Sequence, residues 1–532
     1  MAAFVFASGV QNTARPVQGA GVYQRDPNLN APGVFPLNKT TVPLRIGVET
    51  SNLVENFDTN YQVRMLQEKG NYKFTFEIYP AGQLMQQVEL MVMAGGADLP
   101  DVLWSTFNPS RLVKFGQAGM ILPLNTYYQN TAHFIPEMQK QFSIDIVKYI
   151  TGYDGNVYGF PGMVVAMNNE YSGNWVLIYE PWLKTLGLEM AGTIQEFENV
   201  LKAFKERDPN GNGRADEIPL IGERNTSVEN MLRFLMNPFI YAQPDLWMQN
   251  NGIIDVSFNK PAFRDGLRYA KSLMDQGLIS PLSFTQDTAQ MTAMITPDPT
   301  IIGAYARISP SNLGGTDRKR LEYTIQKPLE GPGGRHAFYN PELPWIKMII
   351  TKNCKYPESA FVLGDYMCSE EQSVMNRFGI KGIDWRDPAP GEESAYKSVG
   401  GVPLMAPITM FGVLQNNYLG QVGPFLVHEK WSNGTVPSGF DVHVTLGRSI
   451  KPYVDLADRN PVRGMIYNEQ EQAVMDEFHA TIMSYVKESY ARFVTGDLSI
   501  DRDWDNYVAQ FNRMGLRDVI TATQSAWNRM NR

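Results

Sequence analysis

The sequence predicts an α/β protein whose strands form mostly parallel sheets with helices on their faces. A short apolar strand at residues 42–48 is followed by strands at residues 72–79 and 99–104. Between these strands, residues 56–69 and 83–94 carry apolar side chains at helical spacing. Such alternation is typical of parallel sheets covered by helices. The chain has 532 residues, which is long enough for two or more large hydrophobic cores.

The composition is that of an ordinary soluble globular protein. Hydrophobic residues make up 43% of the chain and charged residues 19%. The net charge of −8 and the lack of a long basic block argue against a nucleic-acid partner. The 27 Phe, 25 Tyr and 9 Trp are enough to fill large cores and also to line a cavity for a flat ligand.

The N-terminal region predicts a secretory signal remnant followed by an arm. Residues 1–10 form a short apolar run that ends in small residues but lacks a charged start. Residues 11–41 are polar with scattered Pro and Gly, and we expect a linker arm there. No stretch approaches the roughly 20 apolar residues of a membrane-spanning helix. Cys354 and Cys368 are compatible with one disulfide or with two buried thiols.

Further elements continue the same alternation. Thr193 is followed three residues later by Glu196, which is the pattern of a capping box at a helix start. Asn251 and Gly252 predict a hairpin turn within residues 247–258. The other predicted elements are strands at residues 175–179, 218–221 and 301–305, and helices from residue 261, at 357–375, at 468–495 and from about residue 508.

The polar loop at residues 208–217 has the oxygen spacing of a calcium-binding loop. The oxygen-bearing side chains at loop positions 1, 3, 5, 9 and 10 are those of Asp208, Asn210, Asn212, Asp216 and Glu217. Gly213 permits a sharp turn, and Arg214 can offer its backbone carbonyl. An EF-hand loop has its last Glu at position 12, so this loop departs at its end. The alternative is a plain surface turn, since Asn-Gly and Asp-Pro pairs form turns anyway.

Several stretches follow one another in an order typical of a known family. Residues 99–102 follow a Met-rich helix and the small residues 94–96, and residues 154–161 form a turn before a strand. Further blocks lie at residues 182–188, 193–217, 258–287, 356–385 and 493–497. Together they resemble the extracellular solute-binding proteins of bacterial ABC importers, in the sugar-binding branch, over roughly residues 42–530. The loop is similar to that of binding proteins for alginate and related oligosaccharides.

The resemblance implies a two-lobed periplasmic-binding-protein fold of type II. In this fold each lobe is a mixed, mostly parallel sheet flanked by helices, and a hinge joins the lobes. We expect residues 42–170 and 335–400 to form the N-terminal lobe, and residues 171–334 and 401–532 to form the C-terminal lobe. The resemblance also implies a structural calcium ion, held by the five side chains of the loop and the Arg214 carbonyl, away from the sugar.

Two features depart from the family pattern. Glu180 and Pro181 stand before Trp182, where the family usually has a basic residue and Asp. The lipobox cysteine of the Gram-positive members is absent from this sequence.

A sugar cleft needs aromatic faces for the apolar side of the ring and polar groups for its hydroxyls. In parallel sheets such a site lies beyond the carboxyl ends of the strands, here residues 49–52 and 104–106. The candidate contact residues, each with packing in the core or a surface position as the alternative, are Trp104, Tyr158, Tyr305, Arg307, Trp345, Trp385, Asn52 and Ser105. For an acidic sugar, Arg307 and Lys347 are the candidate cations.

The resemblance implies the substrate-binding component of an ABC transporter, which captures an oligosaccharide and delivers it to a membrane permease. We expect a periplasmic or extracellular monomer that is not an enzyme and that meets the membrane only through the permease or a lipid anchor. One alternative is a glycoside hydrolase, which would share an aromatic cleft but needs two carboxylates beside the scissile bond. Another is a peptide- or lipid-binding protein of the same fold, which would favour apolar contacts.

Overall fold

The computed structural model describes residues 23–166, 176–224, 226–241, 246–297, 299–306, 322–338, 340–394, 401–409, 413–436, 456 and 461–531. The strands within these ranges are β1 Val42–Glu49, β2 Tyr72–Tyr79, β3 Val102–Phe107, β4 Phe160–Val164, β5 Val176–Tyr179, β6 Ile218–Ile221, β7 Trp247–Asn250, β8 Ile253–Val256, β9 Ile302–Ala306, β10 Tyr323–Ile325, β11 Glu330–Gly331, β12 Gly334–Arg335, β13 Trp345–Ile350, β14 Trp385–Arg386, β15 Ala406–Pro407 and β16 Phe425–Val427.

The helices of the same ranges are Tyr61–Gly70, Leu84–Met93, Pro109–Gln117, Asn125–Asn130, Phe134–Gln139, Ile146–Ile150, Glu180–Leu186, Ile194–Glu206, Thr226–Met236, Pro261–Asp275, Thr288–Ile295, Pro357–Met367, Glu370–Phe378, Glu429–Asn433, Glu469–Val474, Ala480–Thr495, Ile500–Arg513 and Leu516–Met530. A 3-10 turn lies at Pro281–Phe284 and a π-helical turn at Met475–His479. None of these helices combines the length and the apolar composition needed to cross a bilayer.

The first lobe is built on a six-stranded sheet with the order β16-β4-β13-β3-β1-β2. β1 pairs in parallel with β2 and β3, and β16 pairs in parallel with β4. β13 lies between β3 and β4 and runs antiparallel to both. In β1 the side chains of Val42, Leu44 and Ile46 are buried while Pro43 and Arg45 are exposed, which follows from the two-residue period of a strand.

The second lobe is built on a four-stranded sheet with the order β10-β5-β9-β6. β5 runs antiparallel to β9 and β10, whereas β6 and β9 are parallel. All residues of β5 and β9 are buried, as expected for short apolar strands covered on both faces. The helix Ile194–Glu206 places Phe197 and Phe204 in this core, and the C-terminal helices add Phe493 and Tyr507.

The chain passes between the two sheets more than once. It leaves the first sheet at the carboxyl end of β4 and next forms β5 in the second sheet. It returns after β10 to enter the first sheet again at the amino end of β13. The edge of the first sheet where β4 ends and β13 begins is therefore the edge nearest the second lobe.

The expected linker arm is wrong for residues 23–41, which pack on the first lobe. Leu29 and Leu37 are buried in the first-lobe core, and Asn38 is fully buried. Asn38 Nδ2 donates to the carbonyl of Gly70 at 2.7 Å, at the end of the helix Tyr61–Gly70. Tyr23 is hydrogen-bonded to Glu358 of the same lobe. The polar composition concealed this segment because only two of its apolar side chains, those of Leu29 and Leu37, are buried.

The expected assignment of all residues after 400 to the second lobe is also wrong in one part. β16 pairs with β4, and Leu419 and Leu426 lie in the first-lobe core. The strand is only three residues long, so its sequence pattern is too short to indicate which sheet it joins.

The structure confirms most of the local signals in the sequence, such as caps and turns. The Thr193 capping box is present, because Thr193 Oγ1 accepts from the Glu196 N–H at 3.1 Å and a Glu196 carboxylate oxygen accepts from the Thr193 N–H at 3.2 Å. Asn251 and Gly252 both have positive φ, at 49° and 82°, as the hairpin between β7 and β8 requires. Cys354 and Cys368 are both buried free thiols.

Helix boundaries differ where a cap lies inside an apolar pattern. The predicted helix at residues 357–375 is two helices, because Ser369 caps the second and its Oγ accepts from the Gln372 N–H at 3.3 Å. The predicted last helix is also two helices, which Ser499 caps at the start and Gly515, with φ of 77°, separates.

We expect Leu37→Ala to lower the free energy of unfolding by about 2–5 kcal/mol, because Leu37 is buried in the core. Denaturant unfolding measures this change. The matched control on the same segment is Val34→Ala, whose side chain is 50% exposed and whose loss should change stability by no more than about 0.5 kcal/mol. Equal effects of the two substitutions would contradict the packing of this segment.

Candidate functional site

Polar and aromatic side chains gather at the edge of the first sheet that is nearest the second lobe. Asn52 follows the carboxyl end of β1 and is exposed. Ser105 and Thr106 lie towards the carboxyl end of β3, where Ser105 is half-buried and Thr106 is exposed. Trp345 and Lys347 lie at the amino end of the antiparallel strand β13. These five residues form the candidate binding edge, in the place where ligands bind in α/β sheets.

Trp345 presents an open aromatic face at this edge. It is the first residue of β13, it lies opposite Gly162 of β4, and its side chain is 50% exposed. A large exposed indole flanked by polar side chains can stack on the apolar face of a sugar ring. Contact between Trp345 and a sugar ring therefore stays a prediction.

Lys347 is the extra residue of a β-bulge. Against β4, the register of β13 shifts by one residue between Ile346 and Met348. Lys347 lies between these two residues and so has no register partner on β4. Bulges change the direction of a side chain and are frequent next to binding sites.

The Lys347 side chain is held by residues of three neighbouring strands. Its stem lies beside Gly162, where an added Cβ atom would come within 2.2 Å of Lys347 Cγ. Its Nζ donates to Thr106 Oγ1 at 2.8 Å and lies 5.8 Å from the centre of the Phe425 ring. Gly162 of β4 pairs with Trp345 of β13 on one side and with Phe425 of β16 on the other. The glycine thus leaves the space that the lysine stem occupies.

The charge of Lys347 is only partly balanced by the protein. Burial lowers the pKa of Lys347, and the carboxylate of Glu49 acts in the opposite direction. Glu49 Oε1 accepts a hydrogen bond from the backbone N–H of Leu84 at 2.9 Å. Among the described residues, no carboxylate forms an ion pair with Lys347. A half-buried ammonium of this kind favours a negative or strongly accepting group beside it.

Trp104 does not offer the stacking face that its position after a strand suggested. Its side chain is 1% exposed and lies in the first-lobe core. The ring packs edge-on against Phe74 and Phe76, at centroid distances of 6.2 and 5.9 Å. The expectation is wrong because β3 continues to Phe107, so Trp104 lies inside the strand, and there Leu103 and Trp104 are buried in the cores on the two faces of the sheet.

Tyr158 and Tyr305 are likewise core residues. Tyr158 is 3% exposed and donates from its hydroxyl to Asp154 Oδ2 at 2.7 Å. It precedes β4, so it lies at the opposite end of that strand from the binding edge. Tyr305 lies inside β9, is fully buried and packs against Tyr323 with ring centroids 4.9 Å apart. Both expectations of ligand contact are corrected.

Trp385 is also buried, and Arg307 lies outside the described residues. Trp385 is 7% exposed, donates from Nε1 to the Gly379 carbonyl at 3.2 Å and packs edge-on against Trp431. These contacts place it in a small satellite core and correct its expected role.

Of the two residues that place Lys347, sequence reasoning missed Gly162, whereas Thr106 lies within the predicted stretch 104–106 but was not among the candidate contact residues. One signal was available, because a glycine inside a strand often marks a close approach of another chain segment. Its partner on the neighbouring strand could not be identified without the strand order.

The loop at residues 208–217 is tightly curled between the helix Ile194–Glu206 and β6. Asp208, Gly211 and Gly213 all have positive φ, at 43°, 70° and 73°. The Asp208 carboxylate accepts from the N–H groups of Asn212 and Gly213 at 3.1 and 3.0 Å. Asn212 Nδ2 donates to Asp216 Oδ1 at 3.0 Å. The side chains of the two ends of the loop are thus drawn together.

The loop concentrates negative charge. The pKa of Glu217 is raised, chiefly by burial and also by the charges of Asp208 and Asp216. Glu217 Oε1 is buried without a hydrogen-bond partner. Within the described part of the chain, no three His, Cys, Asp or Glu side chains are gathered as a metal centre. The orphaned oxygen and the all-oxygen donor set nevertheless fit a hard cation such as calcium.

The fold and the binding edge define a two-lobed ligand-binding protein. Within that class, the chain belongs to the bacterial extracellular solute-binding protein family, whose model matches residues 48–374. This match confirms the family resemblance, and the extracellular nature of the family agrees with the predicted location.

A curated relative shows the same similarity over most of its length. The fructooligosaccharide ABC transporter substrate-binding protein FusA of Streptococcus pneumoniae serotype 4 is 25% identical over 448 residues. The alignment covers 81% of this chain and 80% of FusA.

Solved structures confirm the two-lobed fold. An extracellular solute-binding protein from Bifidobacterium longum subsp. infantis has a TM-score of 0.77 at 20% identity, over 92% of this chain and 99% of that one. An EF-hand mutant of S. pneumoniae FusA in complex with fructo-nystose has a TM-score of 0.73 at 21% identity, with the same shares covered. The alginate-binding protein AlgQ2, in a structure without calcium ion, has a TM-score of 0.66 at 21% identity, again with the same shares.

In metal-free protein, we expect Glu217→Gln to raise the midpoint of thermal unfolding at pH 7 by roughly 1 °C or more. A pKa raised by folding means that the charged form is less favourable in the folded state. This penalty is absent below the unfolded pKa and grows as pH rises through the folded pKa, so the gain should vanish near pH 4. Thermal melts in chelator at several pH values measure it.

The control for this substitution is Glu206→Gln, on an exposed residue at the end of the preceding helix. It should leave the pH dependence of the midpoint unchanged. A lower midpoint of thermal unfolding for Glu217→Gln at pH 7 in chelator would show that the charged carboxylate does not destabilise the folded state.

Proposed function

We propose that the protein is the substrate-binding component of an ABC importer and captures an oligosaccharide in the cleft between its lobes. Membership of the extracellular solute-binding family supports a binding role, and the description of FusA as a fructooligosaccharide-binding protein supports a sugar ligand. The observation that carries the proposal is the half-exposed indole of Trp345, which stands among polar side chains at the edge nearest the second lobe.

The arrangement suits capture by closure of two lobes on a ligand. Strand connections cross between the sheets beyond β4 and before β13, so a rotation about these crossings changes the width of the cleft. A sugar ring stacks on Trp345, while Ser105 and Asn52 supply hydrogen bonds to its hydroxyls. The protein acts as a monomer, its partner is the membrane permease that receives the sugar, and it binds the sugar without cleaving it.

We expect short oligosaccharides to raise the melting temperature of the protein, because a ligand that binds only the folded state stabilises it. Trp345→Ala should weaken the affinity of such a ligand about tenfold or more, or ~1.4 kcal/mol, through loss of the stacking face. Isothermal titration of the best ligand from a thermal-shift screen measures this change.

The matched control is Tyr356→Ala, on an aromatic residue that is 37% exposed and follows the far end of β13. Its affinity should stay within about twofold of the parent protein. New reducing ends appearing during incubation would indicate a glycoside hydrolase and overturn the binding role.

We also propose that the loop at residues 208–217 holds a structural calcium ion. The ligands are the side-chain oxygens of the five polar residues and the carbonyl of Arg214. The orphaned Glu217 oxygen and the two neighbouring carboxylates of Asp208 and Asp216 support this proposal. The ion supplies positive charge to the loop. The loop joins a helix to β6 at the side of the second lobe, so the ion stabilises this connection and takes no part in sugar binding.

We expect calcium at about 100 times its dissociation constant to stabilise the protein by about 2.7 kcal/mol, while sugar affinity changes little. Glu217→Gln should abolish this gain, although the same substitution stabilises the metal-free protein. Thermal melts with calcium and with chelator measure the reversal of sign. A parent protein whose midpoint is identical with calcium and with chelator would exclude the ion.

A further inference from the structure

The binding edge contains a charge that the proposed stacking on Trp345 leaves unused. Lys347 lies two residues after Trp345, and both side chains are less buried than that of Ile346 between them. The Lys347 stem leans over Gly162, which is the residue opposite Trp345. The ammonium and the indole therefore border the same space.

The neighbours of Lys347 fix its ammonium group but do not neutralise it. One N–H bond of the ammonium points to Thr106 Oγ1. The centre of the Phe425 ring lies 5.8 Å from Nζ. Glu49, the carboxylate that acts on Lys347, is already bonded to the N–H of Leu84 at a helix start. The remaining N–H bonds of Lys347 have no acceptor among the described residues.

The geometry offers two donors side by side. Thr106 Oγ1 accepts from Lys347 Nζ, so its own hydroxyl proton is free to be donated elsewhere. A carboxylate has two acceptor oxygens and one negative charge, which matches one ammonium and one hydroxyl. A phosphate or sulfate carries three terminal oxygens and is usually met by several cations or by a row of backbone N–H groups.

We propose that Lys347, Thr106 and Trp345 form a subsite for a sugar unit that carries a carboxylate, a uronate, and that the protein therefore selects acidic over neutral oligosaccharides. This inference rests on the proposed function. The indole stacks on the sugar ring, while the ammonium and the threonine hydroxyl bind the two carboxylate oxygens. Gly162 is the positioning residue, because a side chain there would displace the lysine stem.

The test uses pairs of probes that differ only in charge. Short uronate oligomers of several linkages are compared with their carboxyl-reduced counterparts, which have the same length and linkage but carry a primary alcohol in place of each carboxylate. Isothermal titration of the full chain should show at least about tenfold tighter binding of the acidic member of the preferred pair. Added salt should weaken the acidic member more than the neutral one.

The central variant is Lys347→Met, which keeps the length of the apolar stem. It should reduce the preference for the acidic member to within about twofold, while affinity for the neutral member changes by less than about threefold. Lys347→Arg should retain the preference at least in part. Gly162→Ala should reduce it with Lys347 still present, and thermal melts check that each variant is folded.

The matched control is Lys352→Met, on an exposed lysine that follows the other end of β13 and donates to the Gly95 carbonyl. It should leave the preference unchanged. Equal or tighter binding of the neutral member by the parent protein, or an unchanged preference in Lys347→Met, would overturn the charge selection and leave sugar binding intact. Failure of every acidic and neutral oligosaccharide to bind would overturn both proposals.

Discussion

The structure depends on the insertion of one strand, β13, between β3 and β4 of the first sheet. An interior strand must satisfy its backbone N–H and C=O groups on both sides, and β13 does so in antiparallel pairing with both neighbours. Its last three residues, Met348, Ile349 and Ile350, are fully buried and belong to the core on either face of the sheet. Because the strand enters from the second lobe, its first residues come to lie at the edge between the lobes. The same six residues thus hold the first sheet together and carry the candidate binding groups.

Two charged groups in this protein are held without a protein counter-charge. Glu217 is destabilised by burial and by neighbouring carboxylates, and Lys347 by burial next to a distant carboxylate. An unpaired charge at a curled loop or a cleft edge gains most when an external ion or group completes it. The two sites differ in sign, and the ligands proposed for them differ accordingly.

The fold class and most elements could be predicted because they follow from local signals. The capping box of Thr193 and the hairpin turn at Asn251 and Gly252 act over a few residues, and the structure contains both. The strand order could not be predicted from such signals. β16 joins a sheet whose first strand lies almost four hundred residues earlier, and only long-range pairing decides this. The aromatic candidates failed for a related reason, because β3 runs on past Trp104 to Phe107 and the surrounding core buries that tryptophan, whereas Trp345 is the first residue of β13 and stays half-exposed.

The late entry of β16 into the first sheet has a consequence for the time at which that sheet can close. β1 begins at residue 42 of the 532-residue chain. β16, the strand that pairs with β4 on the side away from β13, is complete only at residue 427. Pairing across so long a separation is slow, because a large loop must close before the contact forms. In an extracellular family the chain has to pass through a membrane before it works. The first lobe therefore cannot complete its sheet until most of the chain has been synthesised. Until then the lobe unfolds easily, and an unfolded chain can be threaded through a narrow channel.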